Sequence, residues 1–204
     1  GPARQRPVYK TVTPTTMRHL YAMSELCSSD ELLSFWFEEA GQSRWFKRDK
    51  QFDELCRGRF LTSLTAASRG ECWRWRATPQ GRCAEIILLD QFSRNLYRNT
   101  ASSFSNDPIA LTLAQELVAG GYDDELNADE RYFSYMPYMH SESLKIQHES
   151  LRLFDKLGRT EPLRYARAHF ELIERFGRYP HRNELLGRES TDEELDYLRH
   201  NKGF

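Results

Sequence analysis

Apolar residues recur along this chain at helical spacing almost from end to end. From Asp49 the positions Phe52, Leu55, Cys56, Phe60, Leu64 and Ala67 step by three and four until Gly70, which predicts an amphipathic helix. Before it, Ser28 and Glu31 form a capping box ahead of Leu32-Leu33-Ser34-Phe35-Trp36-Phe37, and Gly41 closes a segment apolar nearly all round and therefore central. Thr13-Pro14 opens an earlier helix with Leu20, Met23, Leu26 and Cys27 as its stripe. After a connector holding Trp73 and Trp75, Thr78-Pro79 starts a helix whose middle, Ala84 to Leu89, points apolar side chains in nearly every direction, so it is expected to be buried on most sides. That helix runs on into Asp90-Gln91-Phe92-Ser93-Arg94-Asn95. Asp107-Pro108 caps the next, with Ile109, Leu111, Leu113, Leu117 and Val118 inward and Gly120-Gly121 as its stop.

Asn127 and Glu130 box a further helix through Tyr132, Phe133, Tyr135 and Met136, which Pro137 is expected to interrupt. The stripe then reads His140, Leu144, Gln147, Leu151 and Phe154 over a helix from about 138 to 157. A helix after Thr160 places Tyr165, Ala166, His169, Leu172, Ile173 and Phe176 on one face, with Gly177 as its C-cap, and Ser190 with Glu193 boxes a last one. No window alternates with period two long enough to make a strand. The expected fold is all-α, about eight helices packed as antiparallel neighbours. Residues 1–13 read as a tail whose Gly1-Pro2 resembles a protease-cleavage scar, 14–29 as a helical extension and 30–204 as one domain.

Composition narrows the partners. Lys and Arg number 29 against 30 Asp and Glu, a formal net charge of -1, so no global field steers the chain to nucleic acid or an anionic membrane. No apolar run has the length to span a bilayer, and the first residues are no signal peptide. Cys27, Cys56, Cys72 and Cys83 are widely spaced, without a CxxC pair, and are expected to be reduced core thiols of a cytoplasmic protein.

Candidate chemistry gathers late in the chain. Asp90 follows four apolar residues on a buried helix, and Arg94 stands one turn on. An Asp90–Arg94 pair is the economical arrangement, either as a structural ion pair or as part of a site. His140 and Gln147 fall on one apolar stripe and His169 on the next, with Glu142 beside the first, so these helices can share a polar cavity. Those histidines with Glu142 and Asp90 are also metal-ligand types, but the spacing is neither Glu-x-x-His nor His-x-x-x-His, so no cofactor is expected and a metal is the lesser alternative. The run from Arg175 to Arg188 interleaves arginines with Phe176, Tyr179, Leu185 and Leu186, which predicts a cationic loop pulled onto the body. Arg175 and Arg178 suit a helix C-terminus, whereas Arg182 and Arg188 suit a bidentate carboxylate or phosphate.

Several of these stretches occur together elsewhere. Phe35-Trp36-Phe37, Trp45-Phe46, Asp90 to Arg98, Phe104-Ser105-Asn106-Asp107-Pro108, His140-Ser141-Glu142 with Gln147, and Arg175 to Asn183 with Leu186-Gly187-Arg188 resemble, in order, the bacterial family catalogued as domain of unknown function 924 (DUF924). The resemblance begins at about Asp30. It implies a helical fold like the tetratricopeptide-repeat superfamily and brings no activity. Ser93 stands where the family motif has proline, a change a helix tolerates.

Two functions follow as expectations. The first is a pocket for a small anionic molecule, with Asp90, His140, Glu142 and His169 as acid–base groups and Arg94, Gln147, Arg178, His181, Arg182, Asn183 and Arg188 as its binding residues. Within it, His140 or His169 is the general base. The second is a helical module that presents a groove lined by Trp45, Trp73, Trp75 and Tyr97 to a peptide or protein partner.

Overall fold

The computed structural model describes residues 26–203, so the tail and nearly all of the helical extension lie outside the described residues. Eight helices account for the described chain, with no strand among the described residues, and the protein is all-α and single-domain. Helix α1 covers 29–40, α-helical over Ser29–Ser34 and π-helical over Phe35–Ala40. It is followed by α2 (Lys50–Ser68), α3 (79–96), α4 (Asp107–Ala119), α5 (Ala128–His140), α6 (Leu144–Leu157), α7 (Thr160–Phe176) and α8 (Asp192–His200).

Local chemistry sets most of these bounds. Ser28, Asp49 and Thr78 each accept from backbone N–H groups of the first turn that follows, satisfying donors that the helix cannot. Asn127 and Glu130 form the reciprocal box on α5, and Gly177, at φ 74°, ends α7 in a conformation that a residue with a Cβ rarely adopts.

Helices α3 and α5 form the centre. Helix α3 packs against α1, α2, α4 and α5, and α5 against α3, α4, α6 and α7. Their shared core is aromatic. Trp36 and Phe92 lie 5.4 Å apart between ring centroids, Trp36 and Phe133 5.4 Å, and Trp45 and Phe133 4.8 Å, tilted or edge-on as ring quadrupoles prefer. A smaller apolar cluster of Leu172, Ile173 and Tyr179, with Phe176 and Tyr197 against it, fixes the loop after α7 and the last helix to the body. All four cysteines are free and buried. Burial pushes Cys56, Cys72 and Cys83 up to about 12, so they stay protonated packing groups.

Four details depart from the pattern-based expectation. Helix α5 runs through Pro137 to His140, and Ser141 and Glu142 form a short non-helical break before Ser143 caps α6. His140 is therefore the last residue of α5, not a stripe residue of α6. A proline removes one ladder donor, but a helix held on its other sides and ending within a turn can absorb the loss. On α4 the buried residues are Ala110, Ala114 and Leu117 while Ile109 is exposed, because the face that α4 turns to α3 and α5 is the one with two alanines and Leu117. Thr191 and Glu194 box α8, one residue later than Ser190 and Glu193. Both registers read the same in sequence, but Glu193 pairs with Arg175 and Ser190 accepts from Asn183. Finally, α3 is π-helical over Leu88–Phe92, which pattern alone does not announce.

Candidate active site

The π-helical stretch carries Asp90. A π turn shifts the ladder from i+4 to i+5, and such bulges gather at functional sites. Here the Asp90 carbonyl accepts from Nη1 of Arg94, one turn on, at 2.9 Å. The Asp90 carboxylate is fully buried, and its three neighbours all donate to it. Gln91 Nε2 reaches Oδ2 at 2.9 Å, Arg94 Nη1 reaches Oδ1 at 3.4 Å, and His140 Nδ1 lies 2.7 Å from Oδ1. Burial favours the neutral acid, but His140 and Arg94 prevail and hold the carboxyl at about 2, so Asp90 is the anion. The pKa of His140 is pushed down as well, by burial first and the Arg94 charge second, and for an imidazole that favours the neutral form. It is therefore a neutral imidazole whose Nδ1–H donates to Asp90, and its Nε2 keeps the lone pair.

His140 sits there because α5 ends there. The carbonyls left over at a helix C-terminus need donors, and the surrounding segments supply them. Gln147 Nε2 donates to Met139 O at 2.9 Å and Ser141 O at 2.7 Å, Tyr179 OH donates to Met139 O, and Arg182 Nη2 donates to His140 O at 2.9 Å. Gln147 is thus a helix cap buried beneath the site. His169 packs beside it with its Nδ1–H on Tyr165 O at 2.7 Å, its ring 5.5 Å from Tyr179 and 6.5 Å from His140.

Charge around the pair is closely matched. Arg94 forks onto Asp107 at 2.7 and 2.9 Å, which makes Asp107 its main partner and Asp90 the secondary one. Arg188 forks onto Glu142 at 2.9 and 3.0 Å, and Glu142 also accepts the Tyr179 N–H at 2.7 Å. Although burial opposes ionisation, Arg188 and that N–H hold Glu142 below the usual carboxylate range. Between the two pairs lies Arg182, with Nη1 3.7 Å from Asp107 and 4.0 Å from Glu142.

A cavity of about 460 Å³ opens over this cluster, within the range of small-molecule sites. His140, Glu142, Asp107 and Arg182 face it across an apolar wall that includes Phe104, Pro108 and Leu111. Of the residues expected to form a site, Asp90, Arg94, His140, Glu142, His169, Arg182 and Arg188 converge here, with Gln147 and Asn183 as supports. Asn183 accepts from Arg188 Nε and donates to Ser190 and Glu194. Two residues lie elsewhere. Arg178 forks onto Glu194 and lines a separate depression with Arg175 and Phe176, while His181 bonds Asn201 O and packs on Tyr197. Helix α8 captures both. Asp107, Phe104 and Tyr179 were missed as site residues, although the run Phe104 to Pro108 stood out as a motif.

The four metal-ligand types do not form a ligand set. Asp90 and His140 bond each other, Glu142 is held by Arg188, and no group of three or more His, Cys, Asp or Glu among the described residues is placed to hold an ion. The aromatic groove also loses a wall, because Trp45 is buried with its Nε1 on Trp36 O while Trp73 is 54% exposed.

Fold and site together define an all-helical protein with a buried carboxylate–imidazole pair at the base of a cavity, closed by an arginine-bearing loop. Residues 32–202 match the family described as bacterial protein of unknown function (DUF924), and the chain belongs to that family. A solved structure of a protein of unknown function from Agrobacterium tumefaciens is similar at 37% identity and TM-score 0.81, covering 85% of this chain and 97% of that one. No curated protein matches. Among the described residues no helix is long and apolar enough to cross a membrane.

Proposed function

We propose that the protein is an enzyme acting on a small anionic molecule held in the cavity over α3 and α5, with His140 as general base, Asp90 as its orienting partner and Arg182 as the anion clamp. The observation that carries this reading is the asymmetry of His140. Nδ1 is fixed by a buried carboxylate at 2.7 Å, while Nε2 has no hydrogen-bond partner among the described residues and the ring lines the cavity. In such a pair Nε2 takes a proton from a substrate hydroxyl, an acidic C–H or a water. The broken bond leaves its electron pair on substrate oxygen or carbon, and Asp90 stabilises the imidazolium. Burial keeps His140 neutral at pH 7, the state a base requires. His169, whose Nδ1 is committed to Tyr165 O, is the poorer candidate.

A screen of small carboxylates and phosphates by thermal shift, followed by solvent-deuterium exchange into each hit, tests this. His140→Asn keeps a donor toward Asp90. It is expected to leave the melting temperature within a few degrees while cutting exchange or turnover about 10²–10⁴-fold. Unchanged turnover in that variant overturns the assignment. The alternative of a repeat-like interaction module has less support, since burial of Trp45 removes one wall of its groove.

A further inference from the structure

We infer that the molecule taken by this cavity is an amphipathic monocarboxylate, its carboxylate in the plane of the Arg182 guanidinium and its apolar body against Phe104, Pro108, Leu111, Pro137 and Leu186. The inference rests on Arg182 being the clamp of the proposed site and goes on to name what the clamp holds.

Hydrogen-bonding capacity gives the first argument. Both oxygens of Asp107 and both of Glu142 are occupied by Arg94, Arg188 and the Tyr179 N–H. Arg182 spends only Nη2, on His140 O, and its Nη1 stands beyond hydrogen-bond distance of either carboxylate. The unmet capacity at the cavity is therefore a guanidinium edge, which wants an acceptor, beside an imidazole lone pair. Shape gives the second. The Arg182 Cζ lies 4.5 Å from the Phe104 ring centroid and 4.6 Å from that of Tyr179. With both rings on the guanidinium, a ligand reaches it edge-on, in the plane that a carboxylate matches with two parallel bonds.

Charge decides between one negative charge and two. Asp90, Asp107 and Glu142 balance Arg94, Arg182 and Arg188, three against three, with His140 neutral. A monoanion leaves the cluster one charge negative. A phosphate monoester dianion would leave it two negative, with Asp107 and Glu142 already within 4.0 Å of the same Nη1. The apolar wall supplies the rest of the affinity and excludes ligands that are charged throughout.

Calorimetric titration of the whole chain at pH 8 with octanoate, acetate, octyl phosphate and octylamine tests the class. Octanoate is expected to bind, with acetate and octyl phosphate each at least tenfold weaker and octylamine silent. Arg182→Lys, which keeps the charge but not the fork, is expected to weaken octanoate about tenfold, and Arg182→Ala to abolish it. Should the alanine variant fail to fold by circular dichroism, the lysine variant carries the test alone. Octyl phosphate binding as tightly as octanoate, or octanoate binding unchanged in Arg182→Lys, overturns the proposal. If octanoate fails but another hit loses binding in Arg182→Lys and turnover in His140→Asn, the class is wrong and the base-and-clamp site stands. If octanoate binds through Arg182 while turnover of every hit survives His140→Asn, the class stands and the general base falls.

Discussion

Replacing Arg94 with alanine is expected to lower the unfolding free energy by about 3–5 kcal/mol, the range for stranding one side of a buried ion pair. Arg94 ties α4 to the π-helical part of α3. It forks onto Asp107 at the start of α4, touches the buried Asp90 carboxylate, and bonds the Asp90 carbonyl. Burial lowers its basicity, but Asp107 and Asp90 together raise it above its ordinary value, so it is a cation throughout the working pH range. Without it, two carboxylates in a poorly hydrated space keep Arg182 as their one cation, beside the neutral His140 imidazole and the Gln91 amide. Arg94→Lys should recover less than half of the loss, because an ammonium cannot form two parallel bonds to Asp107. Asp107→Ala in the Arg94→Ala background should restore about 1–3 kcal/mol, since it removes one of the stranded charges. Urea denaturation of the two single variants and the double gives these numbers. A cost for Arg94→Ala below about 1 kcal/mol would mean that the cluster is well hydrated, and with it the argument for a neutral His140 would go.

How much of this could be read from sequence depends on how far each interaction reaches along the chain. Caps are local, so Asp49, Thr78, Asn127 with Glu130, and Gly177 marked their helix ends correctly. The Asp90–Arg94 contact spans four residues and was visible as an i,i+4 pair. Its importance was not, because the stronger Arg94 partner is thirteen residues away and His140 is fifty. His140 and Glu142 were chosen as site residues although they had been placed on the wrong helix. What brings them to the cavity is a break in the helix after His140, and its only local sign was Ser143 as a cap for α6.

The arginine-rich loop shows the opposite failure. Arg178, His181, Arg182 and Arg188 all read as binding residues in sequence, with only Arg178 also suited to a helix C-terminus, yet each is assigned by a different tertiary neighbour. Glu194 of α8 takes Arg178, the Asn201 carbonyl takes His181, and Glu142 takes Arg188. Arg182 alone turns toward the cavity with part of its donor set uncommitted. Composition cannot make that division, since it depends on which acceptors the last helix and the α5–α6 junction bring to the loop.

Histidine 169 provides the second large effect, in the pH dependence of stability. Burial pushes it down to about 3, and the charges of Arg182 and Arg94 act the same way, outweighing its bond to Tyr165 O. An unfolded histidine titrates near 6.5. Below that pH the unfolded chain gains a proton that the folded protein refuses until about pH 3, so stability is lost as pH falls through this window and is fully present above it. The slope approaches about 1.4 kcal/mol per pH unit, or roughly 2–3 kcal/mol between pH 6.5 and 4.5. His169→Leu removes the group that must stay neutral. Its bond to Tyr165 lies within its own helix, so the variant should be within about 1.5 kcal/mol of the parent at pH 7.5. By pH 4.5 it should be the more stable of the two. Carboxylates and His140 titrate in both proteins and cancel in the difference. Urea unfolding of parent and variant at pH 7.5, 6.0, 5.2 and 4.5 is the measurement. A difference that stays flat across that range would show that His169 protonates in the folded state near its ordinary value, which a side chain only 7% exposed beside two arginines should not do.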